Sequence, residues 1–208
     1  MTRTRRPRGS LDAQAILDAA ERVAAGGVEA LTIRGVAAEI DAAPMALYRY
    51  YPTKDAIVEA LLDRVLSRVR PRLGSDDWLD DLRAFAFDHA RTLIQHPWAV
   101  IPLFTSPTPG PESARIAEEV LGILARGGVE GEDAVAAYSG IVALNYGWAA
   151  FAAPRTSDAA LRTSLRALPP GRFPYTAAVI EPLSRYAGQA NYERALEFLL
   201  AGIGGVAR

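Results

Sequence analysis

The apolar residues between positions 32 and 54 follow a helical period. Those that share one helix face are Ile33, Val36, Ala37 and Ile40. This spacing at i, i+3, i+4 and i+7 predicts a short helix with one buried face. Thr32 stands at the N-cap position, Asp41 interrupts the pattern, and Pro44 suits the first turn of a second helix because its missing N–H has no partner there. Two helices joined by about three residues predict a helix-turn-helix.

The second of these helices is too short to have a full core face. Leu47 can pack inward, and the other side chains point largely outward. These outward residues are Pro44, Met45, Ala46, Tyr48, Arg49 and Tyr50. Exposed aromatic rings beside an arginine are better suited to a groove in a binding partner than to bulk water.

Apolar stripes at helical spacing continue through the rest of the chain. They predict helices over residues 10–25, 54–70, 78–95, 112–126, 133–152, 158–168, 175–186 and 191–204, with Ser10, Thr53, Asp133 and Asn191 as caps and a break near Pro182. A further helical turn is expected within the proline-rich segment 97–111. No strand pattern and no internal repeat are evident. The prediction is an all-α protein of about nine or ten helices.

The helix at 54–70 carries more apolar positions than a small domain can bury. Leu62, Leu66 and Val69 form a second stripe beside the first. This surplus predicts a helix that bridges two parts of the molecule. The predicted organisation is an arm at 1–9, a helix-turn-helix domain at 10–55, a bridging helix at 56–70 and a further helical domain at 71–208.

The helix at 133–152 is apolar nearly all round, in the sequence AVAAYSGIVALNYGWAAFA. A helix without a polar face must be buried on more than one side. In a chain of 208 residues, one of those sides is expected to face another subunit.

Charge is distributed unevenly, although the net charge is only -1. Residues 1–70 hold 11 Arg and Lys against 9 Asp and Glu, and the remainder holds 12 against 15, giving +2 and -3. With no cysteine, disulfides and thiolate sites are excluded. Apolar runs are broken before about 18 residues and no signal peptide is recognisable, which predicts a cytoplasmic protein without a membrane span.

The N-terminal arm contains four arginines and no apolar anchor, so we expect it to be disordered in isolation. Arg5 and Arg6 are its candidate DNA-binding residues. The two interpretations are a solvated tail and an arm that reaches phosphates or a minor groove.

The run from Leu31 to Leu61, LTIRGVAAEIDAAPMALYRYYPTKDAIVEAL, resembles the DNA-binding domain of the tetracycline-repressor-like (TetR) family. Asp41 replaces the usual turn glycine, and Ala43 stands where that family prefers a serine cap. Asp tolerates a left-handed turn, and Pro44 fixes φ at the helix start. We therefore expect a slightly weaker helix start with the motif retained.

The resemblance implies which residues face DNA. Ala43, Pro44, Met45 and Ala46 would approach bases, Tyr48 and Tyr50 the backbone, Arg34 and Lys54 phosphates, and Arg49 either. The alternative is that the tyrosines pack on neighbouring helices, above all Tyr51, which fits the buried aromatic position of the family. Since residues 43–46 offer no bidentate side chain, readout should depend on methyl contacts and DNA shape.

The second half is similar to the C-terminal domain of the same family, through HPWAVIPLF at 96–104, LARGGVEGEDAVAAYSGI at 124–141 and NYERALEFLLAGI at 191–203. That resemblance implies a helical ligand pocket and a homodimer through the 134–152 and 191–204 helices. Candidate pocket residues are Phe85, His89, Trp98, Leu103, Phe104, Ser106, Tyr138, Asn145 and Trp148. The alternative for each aromatic residue is plain core. His89 is the best polar candidate, and His96 is better explained as a structural cap.

Catalysis and metal binding find little support, because no nucleophile motif, phosphate loop or zinc spacing is present. No cofactor and no tetracycline ligand are expected. The prediction is a homodimeric, ligand-responsive transcriptional regulator, with repression as the favoured output. It binds a near-palindromic duplex operator and is released by a small, mostly apolar effector. The alternatives are a small-molecule-binding or enzyme domain with a vestigial helix-turn-helix, and an assembly factor that acts through protein contacts.

Overall fold

The computed structural model describes residues 11–105, 110–151 and 157–207. Within these ranges the chain forms twelve α-helices, nine of them with seven residues or more, and no β-strand. The helices are α1 Ala13–Ala24, α2 Ile33–Glu39, α3 Pro44–Leu47, α4 Lys54–Leu66, α5 Trp78–Gln95, α6 Pro97–Thr105, α7 Pro111–Arg126, α8 Gly131–Phe151, α9 Asp158–Arg166, α10 Pro174–Ala178, α11 Ile180–Leu183 and α12 Gln189–Val206. The predicted all-α class is confirmed.

The chain divides into two compact units. Unit 1 comprises the described parts of Met1–Arg70 and Gln95–Glu119, and unit 2 comprises those of Pro71–Ile94 and Val120–Arg208. Helix α7 therefore begins in unit 1 and ends in unit 2. The predicted domain boundaries stay a prediction, and the arm at 1–9 lies outside the described residues.

Side-chain caps fix the helices around the turn of the helix-turn-helix. The hydroxyl oxygen of Thr32 accepts a hydrogen bond from the Gly35 amide at 3.0 Å, and that of Thr53 accepts one from the Ala56 amide at 3.0 Å. Both predicted caps are confirmed. Asp41 has a φ of 54°, the left-handed conformation expected of the residue that replaces the turn glycine.

Three other predicted caps are wrong. Asp12 caps α1 by accepting from Ala15 N at 2.7 Å, and Ser10 lies outside the described residues. Helix α8 begins at Gly131, so Asp133 lies in its first turn, where a carboxylate favours the helix dipole without capping. Helix α12 begins after Gly188, and the Asn191 side chain donates to the Arg185 carbonyl at 3.0 Å instead.

Two predicted helix limits are also corrected. Helix α4 ends at Leu66 instead of residue 70, because the chain turns there through a hydrogen bond from Val69 N to Leu66 O at 3.0 Å. The break in the 175–186 region falls at Val179, and Pro182 lies in the first turn of α11, where a missing N–H costs little.

One continuous apolar cluster holds the helix-turn-helix together. Its fully buried members include Ile16 and Ala20 of α1, Val36 of α2, Leu47 of α3 and Leu61 of α4. Burial of the single inward side chain of α3 fixes that four-residue helix, which could not form alone. The packing therefore determines how the outer surface of α3 is presented.

Part of the apolar surface of α4 is covered by α6 within unit 1. Leu62 and Val65 pack with Ala99 of α6, and Trp98 and Leu103 pack against the same cluster. Contact with α6 thus accounts for Leu62, one of the three surplus apolar positions.

A polar connection joins the C-terminal part of α4 to the start of α7. The Asp63 carboxylate accepts from the Glu112 amide at 2.8 Å, which caps α7 from another helix. The Glu112 carboxylate binds Arg70 at 3.1 Å and Arg115 at 2.6 Å, and Arg115 also donates to the Val69 carbonyl at 3.0 Å. These two guanidinium groups lower the pKa of Glu112 below its ordinary value.

Unit 2 is built on contacts between α8 and α12 and on buried residues of α5. Along α8 one face is buried, at Ala134, Ala137, Ile141, Asn145 and Ala149. Other α8 residues, such as Val135, are exposed in the single chain. The prediction that this helix is covered on more than one side is therefore not met by the chain alone.

Helix α8 is also long and apolar enough to cross a membrane by length and composition, contrary to the expectation that no apolar run reaches that length. Its packing against α12 and its buried amide at Asn145 are what a core helix of a helical domain shows. Packing within the chain explains the buried face of α8, and the rest of its apolar surface is exposed in the single chain.

Candidate nucleic-acid interface and effector site

The outer surface of α3 combines apolar and aromatic side chains. Met45 is 74% exposed and Tyr48 44% exposed, whereas Leu47 between them in sequence is fully buried. Ala43 and Pro44 are exposed at the helix start. This surface is what the sequence predicted to enter a major groove, and the structure brings its members together on one short helix.

The two tyrosines after α3 are also tied to the start of α1. The Tyr50 hydroxyl donates to the Leu11 carbonyl at 2.5 Å, and the Tyr51 hydroxyl donates to the Ala13 carbonyl at 3.4 Å. Tyr51 is half-buried against the unit 1 core, as predicted, and burial raises the pKa of its phenol. The Tyr50 ring is partly exposed, and its predicted contact with the DNA backbone stays a prediction.

Cationic side chains flank the α3 surface. Arg34 of α2 and Arg49 after α3 are exposed, and Lys54 is half-buried at the first position of α4. These positions fit phosphate contacts beside a short recognition helix. Arg5 and Arg6 of the predicted arm lie outside the described residues.

Ion pairs join α1 to α4 and to the segment just after α4. Arg64 binds Asp18 at 2.5 Å, and Arg68 binds Glu21 at 2.6 Å. Burial alone would raise the pKa of Glu21, but the hydrogen bond and charge of Arg68 outweigh it, so the pKa lies below its ordinary value. His96, predicted as a structural cap, lies 3.6 Å from the Glu21 carboxylate and contacts Arg68.

A buried polar network lies at the centre of unit 2. The Asn145 amide nitrogen donates to the Ala86 carbonyl at 3.1 Å and lies 3.0 Å from His89 Nδ1. The Tyr192 hydroxyl lies 2.8 Å from Asn145 Oδ1 and 3.0 Å from the Ala86 carbonyl. Since the Asn145 nitrogen is a donor, His89 Nδ1 must accept, which places the imidazole proton on Nε2.

Aromatic rings surround this network. His89 stacks on Phe85 with ring centres 5.5 Å apart and meets the edge of Tyr146 at 5.8 Å, and Trp148 lies 5.6 Å from Tyr192. Burial lowers the pKa of His89 to about 4, so the ring is neutral near pH 7. The region therefore combines aromatic rings with neutral polar groups that are hydrogen-bonded to one another.

The predicted effector residues do not all fall in this region. Phe85, His89, Tyr138, Asn145 and Trp148 belong to α5 and α8 of unit 2. Trp98, Leu103 and Phe104 belong to α6 of unit 1, where Trp98 and Leu103 pack against α4 and Phe104 is exposed, and Ser106 lies outside the described residues.

Tyr146 and Tyr192 were missed as members of the polar core. Tyr192 had been assigned to the apolar stripe of the last helix, and only its hydroxyl marked it as different from the leucines beside it.

An apolar groove of about 280 Å³ lies between α8 and α12 in unit 2. Its lining residues are Val129, Asp133, Ala136, Ala137, Phe198, Leu199, Gly202, Ile203 and Val206. Phe198 is 71% exposed at this groove. Both helices are those predicted to form a dimer interface.

Two family models match the chain, and together they cover nearly all of it. Residues 16–61 match the model described as "Bacterial regulatory proteins, tetR family", and residues 70–206 match "Tetracyclin repressor-like, C-terminal domain". The chain belongs to the TetR family. As a TetR-family protein it is a transcriptional regulator and not an enzyme, so the alternative of an enzyme with a vestigial helix-turn-helix is not favoured.

Relatives of this TetR-family protein include regulators from actinomycete bacteria. An HTH-type transcriptional regulator of Saccharopolyspora erythraea is 32% identical over 190 residues, which cover 87% of this chain and 79% of that relative. The HTH-type transcriptional repressor DrrR1 of Streptomyces coeruleorubidus is 33% identical over 137 residues, covering 64% of this chain and 51% of DrrR1. TetR-family regulators are soluble DNA-binding proteins.

Solved TetR-family structures share the fold over almost the whole chain. The regulator SCO7222 of Streptomyces coelicolor has a TM-score of 0.83 at 26% identity, covering 95% of this chain and 100% of its own. Apo ActR from the same organism has a TM-score of 0.87 at 21% identity, covering 97% and 98%. At that identity the likeness to ActR is one of fold.

Proposed function

We propose that this TetR-family regulator binds a near-palindromic duplex operator as a cytoplasmic homodimer and represses transcription until a small, mostly apolar effector releases it. The observation that carries the proposal is the outer surface of α3, where Met45 and Tyr48 stand exposed on a helix anchored by Leu47. Two such helices related by a dimer two-fold would enter successive major grooves.

Dimerisation through α8 and α12 is supported by the exposed apolar groove between them. Phe198 and Val135 are large apolar side chains that a lone chain leaves in water. Exposed apolar surface of this kind marks an interaction site, and a symmetric dimer is typical of the family. A second copy packed on the same two helices would cover both side chains.

Control by an effector is supported by the composition of the unit 2 core. Phe85, Tyr146 and Trp148 supply aromatic surface, and Asn145 and His89 supply neutral polar atoms. Ligand sites commonly combine these features. ActR has been solved in complex with actinorhodin, and DrrR1 is a repressor, which favours the same type of control here.

The double variant Tyr48→Ala with Lys54→Ala is expected to weaken operator binding about 10- to 100-fold, because it removes two predicted backbone contacts per subunit. Gel retardation on the protein's own promoter fragment measures the effect, and sedimentation should show an intact dimer. Tyr175→Ala is the matched control, since Tyr175 is 89% exposed on α10 in unit 2. Retardation equal to that of the unchanged protein would count against the α3 surface.

An effector is expected to raise the melting temperature of the dimer and to release DNA at the same concentrations. At about 100 times its Kd, it would add roughly 2.7 kcal/mol to the free energy of unfolding. A thermal-shift screen of apolar compounds, followed by operator release, makes the measurement. Trp148→Ala should reduce the shift, whereas Trp98→Ala, which changes the α4 contact in unit 1, should preserve it. Compounds that stabilise the protein without releasing DNA would contradict effector control.

A further inference from the structure

The most exposed part of the predicted reading surface is apolar. Met45 stands at the second position of α3 and exposes more of its side chain than any other large apolar residue described in unit 1. The residues just before it, Ala43 and Pro44, are exposed and carry no polar side-chain atom. The Met45 thioether is therefore open to a partner that reaches this surface.

Two polar side chains lie next to Met45 on the surface of this segment. Tyr48 follows at i+3 and Arg49 at i+4, so both lie one helical turn towards the next segment. Arg34 is exposed on the preceding helix. In the proposed complex Arg34 and Tyr48 contact the DNA backbone and Arg49 contacts phosphate or base, which would place the apolar tip of Met45 towards the neighbouring base edges.

The major groove offers one apolar group at a base edge, the C5-methyl of thymine. We propose that Met45 is a specificity-determining residue that contacts the C5-methyl of a thymine in each operator half-site. This inference rests on the proposed function and adds the chemistry by which bases are read. Met suits the contact because its unbranched, polarisable chain adapts to a small apolar target.

The contact should appear first in the selected operator. A pool of random duplexes bound by the full-length dimer should yield a near-palindrome with one fixed thymine at equivalent places in the two half-sites. Replacing that thymine by deoxyuridine removes the methyl and leaves base pairing intact. Binding should weaken roughly 3- to 10-fold for one half-site and roughly 10- to 100-fold for both.

Met45→Ala provides the second half of a double-mutant cycle. It should weaken binding to the thymine operator by a similar factor, and the uracil duplex should then bind no more weakly than the thymine duplex. Met45→Leu keeps an apolar tip and should retain most of the sensitivity. As the matched control, Tyr48→Phe removes a hydroxyl and should leave the preference for thymine over uracil unchanged.

A third arm separates the methyl from the rest of the base pair. A duplex in which the same T·A pair is replaced by 5-methylcytosine·G should bind roughly 3- to 10-fold more tightly than a duplex in which it is replaced by unmethylated C·G. Equal binding of those two duplexes, or a thymine preference that survives Met45→Ala, would overturn the inference alone. Failure to bind any duplex would remove the proposed function as well.

Discussion

Phe198→Asp is expected to turn the dimer into a monomer and to reduce operator affinity by at least about 100-fold. Phe198 is exposed on α12 at the groove shared with α8, so the change should leave the monomer folded. In the proposed dimer the aspartate would lose its water without a partner, at roughly 3–5 kcal/mol for each buried charge. A two-fold interface contains the substitution twice, which doubles the cost.

Sedimentation velocity at micromolar concentration and gel retardation on one operator measure the two effects. The matched control is Ile101→Asp, because Ile101 is 64% exposed on α6 of unit 1. That variant should remain dimeric. A dimeric Phe198→Asp protein would show that α8 and α12 are not the interface. A monomeric Ile101→Asp control would show that replacing any exposed apolar residue disrupts assembly.

Acidification is expected to destabilise unit 2 before most carboxylates titrate. The neutral ring of His89 accepts from Asn145 and is buried among Phe85, Tyr146 and neighbouring atoms, so its pKa falls to about 4 from the ordinary histidine value of 6.5. Burial raises the pKa of Tyr146 to about 12 and raises that of Tyr192, so both phenols remain neutral in this range.

The sign of the effect follows from proton binding. Between the pKa of His89 in the folded chain and its pKa in the unfolded chain, the unfolded chain binds a proton that the folded chain excludes. The free energy of unfolding is therefore highest above about pH 6.5 and falls as the pH approaches about 4. The loss by the end of this range is on the order of 3 kcal/mol. Urea unfolding at a series of pH values from 7 to 4.5 measures it.

His89→Gln is the control for this effect, because an amide can replace part of the hydrogen bonding and does not titrate. The variant should be less stable at pH 7 and should lose less stability on acidification. A second comparison is Tyr192→Phe, which removes the phenol that contacts Asn145 and keeps the histidine. Equal pH dependence in the unchanged and His89→Gln proteins would contradict the assigned role of His89.

The parts of the fold that were predicted well are governed by local chemistry. Thr32 and Thr53 cap the helices that follow them directly, and Asp41 adopts the left-handed conformation that the turn requires. Asp133 and Asn191 have the same capping chemistry, yet their helices start earlier because flanking residues can also open a helix. The capping preference of a residue alone could not decide at which of several neighbouring residues a helix begins.

The candidate effector site was predicted only in part because its members are brought together by tertiary packing. His89 and Asn145 are 56 residues apart and meet through a 3.0 Å contact, which no periodicity encodes. Trp98 is an aromatic residue of the kind that lines pockets, but it packs against α4 in unit 1. The aromatic residues chosen from the sequence lie in both units, and only the packing assigns each of them to one unit or the other.

The central claim, that α3 of each subunit reads a near-palindromic operator, is tested most directly by equilibrium binding of the full-length protein to one selected duplex at several salt concentrations. The expected result is one dimer per duplex, with affinity that falls steeply on a logarithmic salt scale at a slope of about -4 or steeper, from roughly four or more phosphate contacts. The Tyr48→Ala, Lys54→Ala variant should show a shallower slope. Equal affinity for a scrambled duplex, or affinity independent of salt, would contradict the claim.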